Sequence, residues 1–162
     1  CENYDEKCRK SIKNKFDRQT ERKFLVDGVD EYKKRIEGFQ KLQILELKEY
    51  NTSDISKNIE NEGFEILEKI NSDEHLITLE ILGKKFDSIT FSKYLEKQFI
   101  YGVSKITFVI GGSNGLSEEV KKRSNLHLSF SDMTFPHQLM RLILMEQLYR
   151  ALTIMNHKEY HK

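Results

Sequence analysis

Apolar side chains recur every three to four residues in several segments of the chain, which is the period of an amphipathic helix. The first such segment runs from Phe24 to Ile36, and Gly38 is the predicted stop. Further helices are predicted at residues 56–70, from Ser88 with that serine as the cap, and directly after Ser117. A long last helix, with Pro136 in its first turn, is apolar nearly all round.

Short runs with apolar side chains lie between these helices and predict strands, and the first two are rich in β-branched residues. The runs are residues 76–82, 106–110 and 126–131. We also expect a short strand at residues 42–47, from the apolar side chains of Leu42, Ile44, Leu45 and Leu47. Strands that alternate with helices predict an α/β domain with a mostly parallel sheet.

Length and composition favour one globular domain. The chain has 162 residues, of which 33% are charged and 38% hydrophobic. No apolar run reaches the roughly 20 residues that span a bilayer, so we expect a cytoplasmic protein without a membrane segment. The two cysteines, Cys1 and Cys8, lack the further ligands of a zinc pattern, and no metal is expected.

The formal net charge is only +1. Proteins that bind RNA mainly through phosphates usually have a clear excess of Lys and Arg. A function on RNA would therefore depend on recognising a preformed surface. The basic clusters at residues 33–35 and 121–123 are explained either by RNA docking or by solvated helix faces.

Three glycines follow the predicted strand at residues 106–110, namely Gly111, Gly112 and Gly115. Glycine lets the backbone approach a ligand closely, and parallel sheets bind ligands at the carboxyl ends of their strands. A tight turn without a ligand explains the same spacing. The spacing matches neither of the two common glycine motifs for nucleotide phosphates.

A second candidate loop, residues 130–137, connects the third predicted strand to the last helix. The free backbone N–H groups at a helix start suit a carboxylate or the polar edge of a ligand. Met133, Phe135 and Leu79 could form the walls of a site for a flat base, and they could equally be core residues.

The segments VIGGSNG and LSFSDMTFPHQLMRLILMEQLYRA, with the ending EYHK, resemble one enzyme family. That family methylates N3 of a pseudouridine in large-subunit (23S) ribosomal RNA, on the ribosome. It belongs to the SPOUT class of S-adenosylmethionine-dependent methyltransferases, and the resemblance extends from about residue 21 to residue 162. It implies a parallel sheet with a C-terminal trefoil knot, a rare exception to unknotted topology. It also implies a homodimer.

The resemblance also implies which residues contact the methyl donor. The donor is expected to contact Leu79, Gly111 and a run of loop residues, which are Phe130, Ser131, Asp132, Met133, Thr134 and Phe135. Relatives often carry Lys or Gln where Asp132 stands, so its side chain is not expected to be essential. The apolar circumference of the last helix fits a dimer interface, and a central core helix of a monomer is the alternative.

N3 of pseudouridine is a weakly acidic imide nitrogen, and it must lose its proton while it lies in line with the sulfonium methyl group. His137 is a candidate to contact the base or to move the proton, because imidazole titrates near neutrality. Ordering the helix start is its alternative role. Arg141, one turn later, could bind a phosphate or the uracil carbonyls, or could pair with Glu146 or a partner subunit.

The chain ends in a polar tail that contains Tyr160 and His161. The resemblance suggests that this tail closes over the site and contacts RNA, with Tyr160 available for stacking on a base. A frayed terminus is the default for any chain.

Residues 1–20 depart from the family pattern. Relatives begin with a short apolar strand that ends in Gly-Lys, and residues 1–20 contain no apolar strand. We therefore expect a charged N-terminal segment of uncertain structure at residues 1–20 and a SPOUT methyltransferase domain at residues 21–162. An atypical or missing first strand is expected to expose a sheet edge, and to affect stability more than the donor pocket.

Two other functions stay open at this point. One is a non-catalytic ribosome-binding homologue, and the other is a SPOUT methyltransferase that acts on another RNA, such as tRNA.

Overall fold

A computed structural model describes residues 18–162, with side chains from Lys23 onward. Its elements, in chain order, are α1 (Arg18–Glu37), α2 (Ile55–Glu68), β1 (His75–Lys85), α3 (Ser88–Ile100), β2 (Ile106–Ile110), α4 (Glu118–Arg123), β3 (Leu126–Ser129) and α5 (His137–Met155). The expectation about an N-terminal strand falls on residues that are outside this description, except that residues 18–20 belong to α1.

The three strands form one parallel sheet in the order β2-β1-β3. Leu79 in the central strand pairs with Ile110 of β2 on one side and with Leu128 of β3 on the other. The predicted α/β class with a parallel sheet is therefore confirmed. None of the described helices is long and apolar enough to cross a membrane.

Strand β1 continues beyond its predicted end at Leu82. Leu128 of β3 pairs with Leu79 and again with Lys84, so residues 80–83 form a bulge. Gly83 lies where the two strands meet again, and a Cβ there would lie 2.8 Å from the backbone of His127 and Leu128. The close approach of the strands therefore requires glycine at this position.

Helix α5 packs against α1 on one side and α3 on the other, and it serves two hydrophobic clusters. The first cluster contains Ile77, Phe91, Leu95, Leu128 and Ala151. The second contains Val29, Ile36 and Met145. Because α5 contributes to both clusters, packing within one chain already explains part of its apolar circumference.

The strand predicted at residues 42–47 is wrong. These residues have no regular secondary structure and pair with no strand in the described part of the chain. Leu42 and Ile44 pack against the second cluster, whereas 58% of Leu45 and 36% of Leu47 are exposed. Residues 42–47 therefore form a loop that covers the second cluster, between α1 and α5, with the side chains of Leu42 and Ile44.

The cap of α3 also differs from the prediction. The carboxylate of Asp87, not the hydroxyl of Ser88, accepts a hydrogen bond from the backbone N–H of Thr90 at 2.7 Å. Ser88 instead donates to the side chain of Gln147 in α5 at 2.7 Å. Asp and Ser are both good caps, and the structure uses the residue one position earlier.

Candidate functional site

The two candidate loops leave the same edge of the sheet, on either side of β1. Gly111 follows Ile110, the last residue of β2, and Phe130 follows Ser129, the last residue of β3. Ile110 and Leu128 are register partners of Leu79, and Ser129, which precedes Phe130, pairs with Lys85 of β1 beyond the bulge. Gly111 and Phe130 thus follow strands on opposite sides of β1. This is the carboxyl edge of a parallel sheet, where α/β proteins bind ligands.

The glycine loop is a compact turn. The backbone N–H of Gly115 donates to the carbonyl of Gly112 at 3.1 Å, and Gly115 has a positive φ of 85°. A Cβ on Gly111 would lie 3.1 Å from the carbonyl carbon of Gly115 and 3.1 Å from the side chain of Leu116. Tight packing and positive φ explain glycine at Gly111 and Gly115, and they leave the loop able to approach a ligand.

Glu49 also lies in this region, although the sequence did not predict it as a site residue. Its carboxylate accepts hydrogen bonds from the backbone N–H of Ser113, at 2.9 Å, and from the Ser113 hydroxyl. These two hydrogen bonds lower the pKa of Glu49, and the nearby imidazole of His137 lowers it further. Glu49 thus places a negative charge between the glycine loop and the start of α5.

The loop from Phe130 to Phe135 is open at its tip. Met133 is 71% exposed, and its backbone N–H donates to the Ser131 hydroxyl at 3.0 Å. Asp132 forms an exposed salt bridge with Lys85 at 2.6 Å. Thr134 is exposed, while Phe130 is half-buried against the first cluster and Phe135 is half-buried. The loop therefore offers apolar side chains and exposed polar groups at the carboxyl end of β3.

His137 and Arg141 lie on the first two turns of α5. His137 is exposed and is the first residue of the helix. Arg141 forms an ion pair with Glu46, which lies in the loop at residues 42–47. Pairing of Arg141 with Glu146 is therefore wrong, because Arg150, four residues after Glu146, takes that partner at 2.5 Å.

The tail is packed against the middle of α5. The Tyr160 hydroxyl donates to the Glu146 carboxylate at 3.1 Å, and the Tyr160 ring stands edge-on to Tyr149 at 4.7 Å. Burial raises the pKa of Tyr160, and the hydrogen bond with Tyr32 and the charge of Glu146 raise it further. The hydroxyl of Tyr160 and part of its ring thus already make contacts within the chain.

This placement separates the tail from the two loops. Tyr160 contacts Glu146, nine residues after His137, which is roughly 13 Å along the axis of an α-helix. Within one chain the tail therefore lies beside the middle of α5 and away from the helix start. Contact of Tyr160 and His161 with RNA stays a prediction.

In each of the two basic clusters, an arginine side chain forms contacts within the fold. Arg123 donates to the backbone carbonyls of Asn71 and Glu74, at 3.0 and 2.8 Å. Arg35 pairs with Glu31 at 2.9 Å and lies over the ring of Tyr32. These contacts favour the interpretation as helix faces over RNA docking.

An open groove of about 610 Å³ lies outside the two loops. Its lining includes Glu80, Lys84, Lys121 and His127, and none of the predicted donor residues. We assign the candidate site to the loops rather than to this groove, because the loops meet at the carboxyl edge of the sheet. Among the described residues, no group of His, Cys, Asp and Glu is arranged to hold a metal ion.

Comparison with known proteins identifies the family. The profile of a family described as predicted SPOUT methyltransferase matches residues 17–161. A ribosomal RNA large subunit methyltransferase H from Fusobacterium nucleatum subsp. nucleatum is 49% identical over 142 residues, which cover 86% of this chain and 92% of that protein. Proteins of the same name from Streptococcus gordonii and Streptococcus pneumoniae are 48% and 50% identical over 146 residues, with the same coverage. The resemblance in the sequence is thus confirmed, and the chain belongs to the SPOUT methyltransferase family.

Proposed function

We propose that this chain is an S-adenosylmethionine-dependent methyltransferase that modifies N3 of a pseudouridine in large-subunit ribosomal RNA. The observation that carries the proposal is that the two loops follow β2 and β3, the strands on either side of β1, at the carboxyl edge of the sheet. The names of the similar proteins, which specify the large ribosomal subunit, support this choice of RNA.

The side chains at this edge have the chemical character that S-adenosylmethionine, the proposed methyl donor, requires. S-adenosylmethionine supplies a methyl group on a positively charged sulfur. Leu79, Phe130 and Phe135 offer apolar surface for its adenine ring, and Gly111 leaves the backbone accessible. The carboxylate of Glu49 lies beside the glycine loop with a lowered pKa, so a negative charge is available near a cationic ligand.

The chain's own residues would mainly position the target nitrogen and favour loss of its proton. Orientation can supply roughly 7–11 kcal/mol of a reaction barrier. We propose that His137, exposed at the start of α5, contacts the base or moves the proton. Arg141, held by Glu46 and 25% exposed, would bind a uracil carbonyl, where a cation stabilises the developing negative charge.

The remaining parts of the proposal concern the assembly. We propose a homodimer that acts in the cytoplasm, with a trefoil knot that shapes the donor site. The position of the tail supports the dimer, because Tyr160 and His161 lie away from the loops of their own chain. In a dimer, the tail of one subunit can meet the loops of the other, and the RNA would contact both.

Methyl transfer to separate RNA substrates tests the proposal. The protein is incubated with labelled donor and, separately, with free ribosomal RNA, ribosomal subunits, intact ribosomes and tRNA. We expect label in large-subunit RNA, as N3-methylpseudouridine on nucleoside mass analysis, and no label in tRNA. His137→Ala is expected to slow single-turnover methylation, and an unchanged rate would remove its catalytic role.

The other outcomes identify the alternatives. Label in tRNA alone would indicate another RNA substrate. Binding to ribosomes without transfer of label would indicate a non-catalytic ribosome-binding homologue.

A further inference from the structure

The guanidinium group of Arg150 is fixed from three directions. It donates to the Glu146 carboxylate from Nε at 3.0 Å and from Nη2 at 2.5 Å. Nη1 lies 3.1 Å from Nδ1 of His161, and the group lies 4.8 Å from the centre of the Tyr160 ring. The side chains of Glu146 and Arg150 are only 20% and 24% exposed, so few other orientations are open to them.

This arrangement determines which nitrogen of His161 carries the proton. A guanidinium group has five N–H donors and no acceptor, so Nδ1 of His161 must accept the hydrogen bond from Arg150. A nitrogen that accepts carries no proton. A neutral imidazole has one N–H, and in His161 that N–H is therefore on Nε2.

The hydrogen bonds of Tyr160 hold the backbone next to His161 in place. Its hydroxyl donates to Glu146, and the Tyr32 hydroxyl lies 3.4 Å away. Because the single proton of Tyr160 goes to the carboxylate, Tyr32 is the donor in the second hydrogen bond. Tyr160 acts as the anchor of the tail in this conformation, and His161 is the adjacent side chain that the anchor orients.

We propose that Arg150 is a positioning residue that selects the Nε2–H tautomer of His161, so that the tail presents an N–H donor to an oxygen acceptor of the substrate RNA. The identity of the acceptor as RNA rests on the proposed function, whereas the tautomer of His161 does not depend on it. An Arg150 that served only the fold would hold Glu146 and Tyr160 equally well with His161 in either tautomer.

The tautomer is measured directly by long-range ¹H–¹⁵N correlation of the histidine side chains, in the uniformly ¹⁵N-labelled full chain at alkaline pH. The signals of His161 are identified by their loss in His161→Gln. We expect the wild type to show a protonated Nε2 and an unprotonated Nδ1. Arg150→Met should give a mixture of tautomers, while Arg150→Lys, which still donates, should keep the wild-type pattern. A wild-type His161 protonated on Nδ1, or an unchanged pattern in folded Arg150→Met, would overturn the inference.

Methylation kinetics test the role of the selected N–H. Arg150→Met is expected to raise KM for RNA roughly fivefold with little change in kcat, which corresponds to one neutral hydrogen bond. His161→Gln carries an amide that reaches the Nε2 position, whereas the amide of His161→Asn reaches only Nδ1. His161→Gln should therefore keep a lower KM for RNA than His161→Asn, and equal values would overturn the role of Nε2–H.

The NMR spectrum and the methylation kinetics distinguish a failure of this inference from a failure of the proposed function. If Arg150→Met does not fold, the wild-type spectrum still decides the tautomer. If the wild type methylates no RNA, the proposed function and its RNA partner fail, while the spectrum reports on Arg150 and His161 alone.

Discussion

Hydrogen bonds decide the direction in which the pKa of Glu74, a buried carboxylate, is shifted. Its side chain is 2% exposed, and it accepts hydrogen bonds from the Thr107 hydroxyl at 2.6 Å and the Lys105 ammonium at 3.0 Å. Burial alone would raise the pKa of Glu74, but the hydrogen bonds from Thr107 and Lys105 outweigh it and leave the pKa below its ordinary value. The folded state therefore favours the ionised carboxylate.

This lowered pKa predicts a loss of stability in acid. A group with a depressed folded pKa stabilises the fold above its unfolded value of about 4.3, and the contribution disappears as pH falls through the folded pKa. The free energy of unfolding, measured in urea from neutral to acidic pH, should fall less steeply with acid in Glu74→Gln than in the wild type. Thr107→Val, which removes one donor, should lie between them. Parallel curves for all three proteins would contradict the assignment.

The close approach of β1 and β3 at Gly83 predicts a large effect for one methyl group. In Gly83→Ala, the new Cβ would meet the backbone of His127 and Leu128 at 2.8 Å, and backbone cannot move aside as a side chain can. We expect a loss of about 1–3 kcal/mol in the free energy of unfolding. Gly102→Ala gives the cost of conformational strain alone, since Gly102 has a positive φ and no atom lies within 4 Å of the added methyl group, whereas Gly83 does not have a positive φ. A loss of less than about 0.5 kcal/mol in Gly83→Ala would show that the two strands can separate to admit the methyl group.

The residues of the candidate site differ in how far the sequence predicts them. Gly111 and Phe130 could be placed together because each follows a strand, and the carboxyl ends of parallel strands lie at one edge. Glu49 could not be found, because it lies 64 residues before Ser113 in a charged segment without periodicity. Only the tertiary fold brings that carboxylate to the glycine loop.

At the scale of the elements, the segment that precedes α2 shows why apolar composition is not enough to make a strand. Strands β1 and β2 were predicted from apolar runs rich in β-branched residues, and β3 from a short run in which Leu126 and Leu128 alternate with polar residues. Residues 42–47 have a comparable run but cover the second cluster instead of joining the sheet. Strand formation depends on an available edge, and a local pattern contains no information about that edge.

The packing of this segment predicts unequal effects for two neighbouring residues. Ile44→Ala removes a half-buried side chain from the second cluster, and we expect a loss of about 1–2 kcal/mol, below the range for fully buried residues. Leu45→Ala removes a side chain that is 58% exposed and should change stability by less than about 0.5 kcal/mol. Both are measured by urea unfolding of the separate variants. A larger loss for Leu45 would show that a second subunit covers it.

At the scale of the whole molecule, α5 connects the two regions that the proposed function needs. His137 and Arg141 lie on its first turns, near the two loops, and Glu146 and Arg150 hold the tail further along. A helix is rigid over this length, so the contact of Tyr160 with Glu146 holds the tail at the middle of its own α5. We therefore expect a site that uses both regions to combine two chains.

This geometry predicts complementation between two inactive variants. Gly111→Val places a branched side chain against Gly115 and Leu116 and should block the donor loops, while a chain ending at Glu159 lacks the tail. Each homodimer should be inactive. A heterodimer, isolated through different tags after co-expression, has one site with intact loops and an intact tail from the other subunit, so it should show about half of the wild-type methylation rate. Circular dichroism of each variant controls for folding. If every site were built from a single chain, the heterodimer would contain no complete site and would be as inactive as its parents.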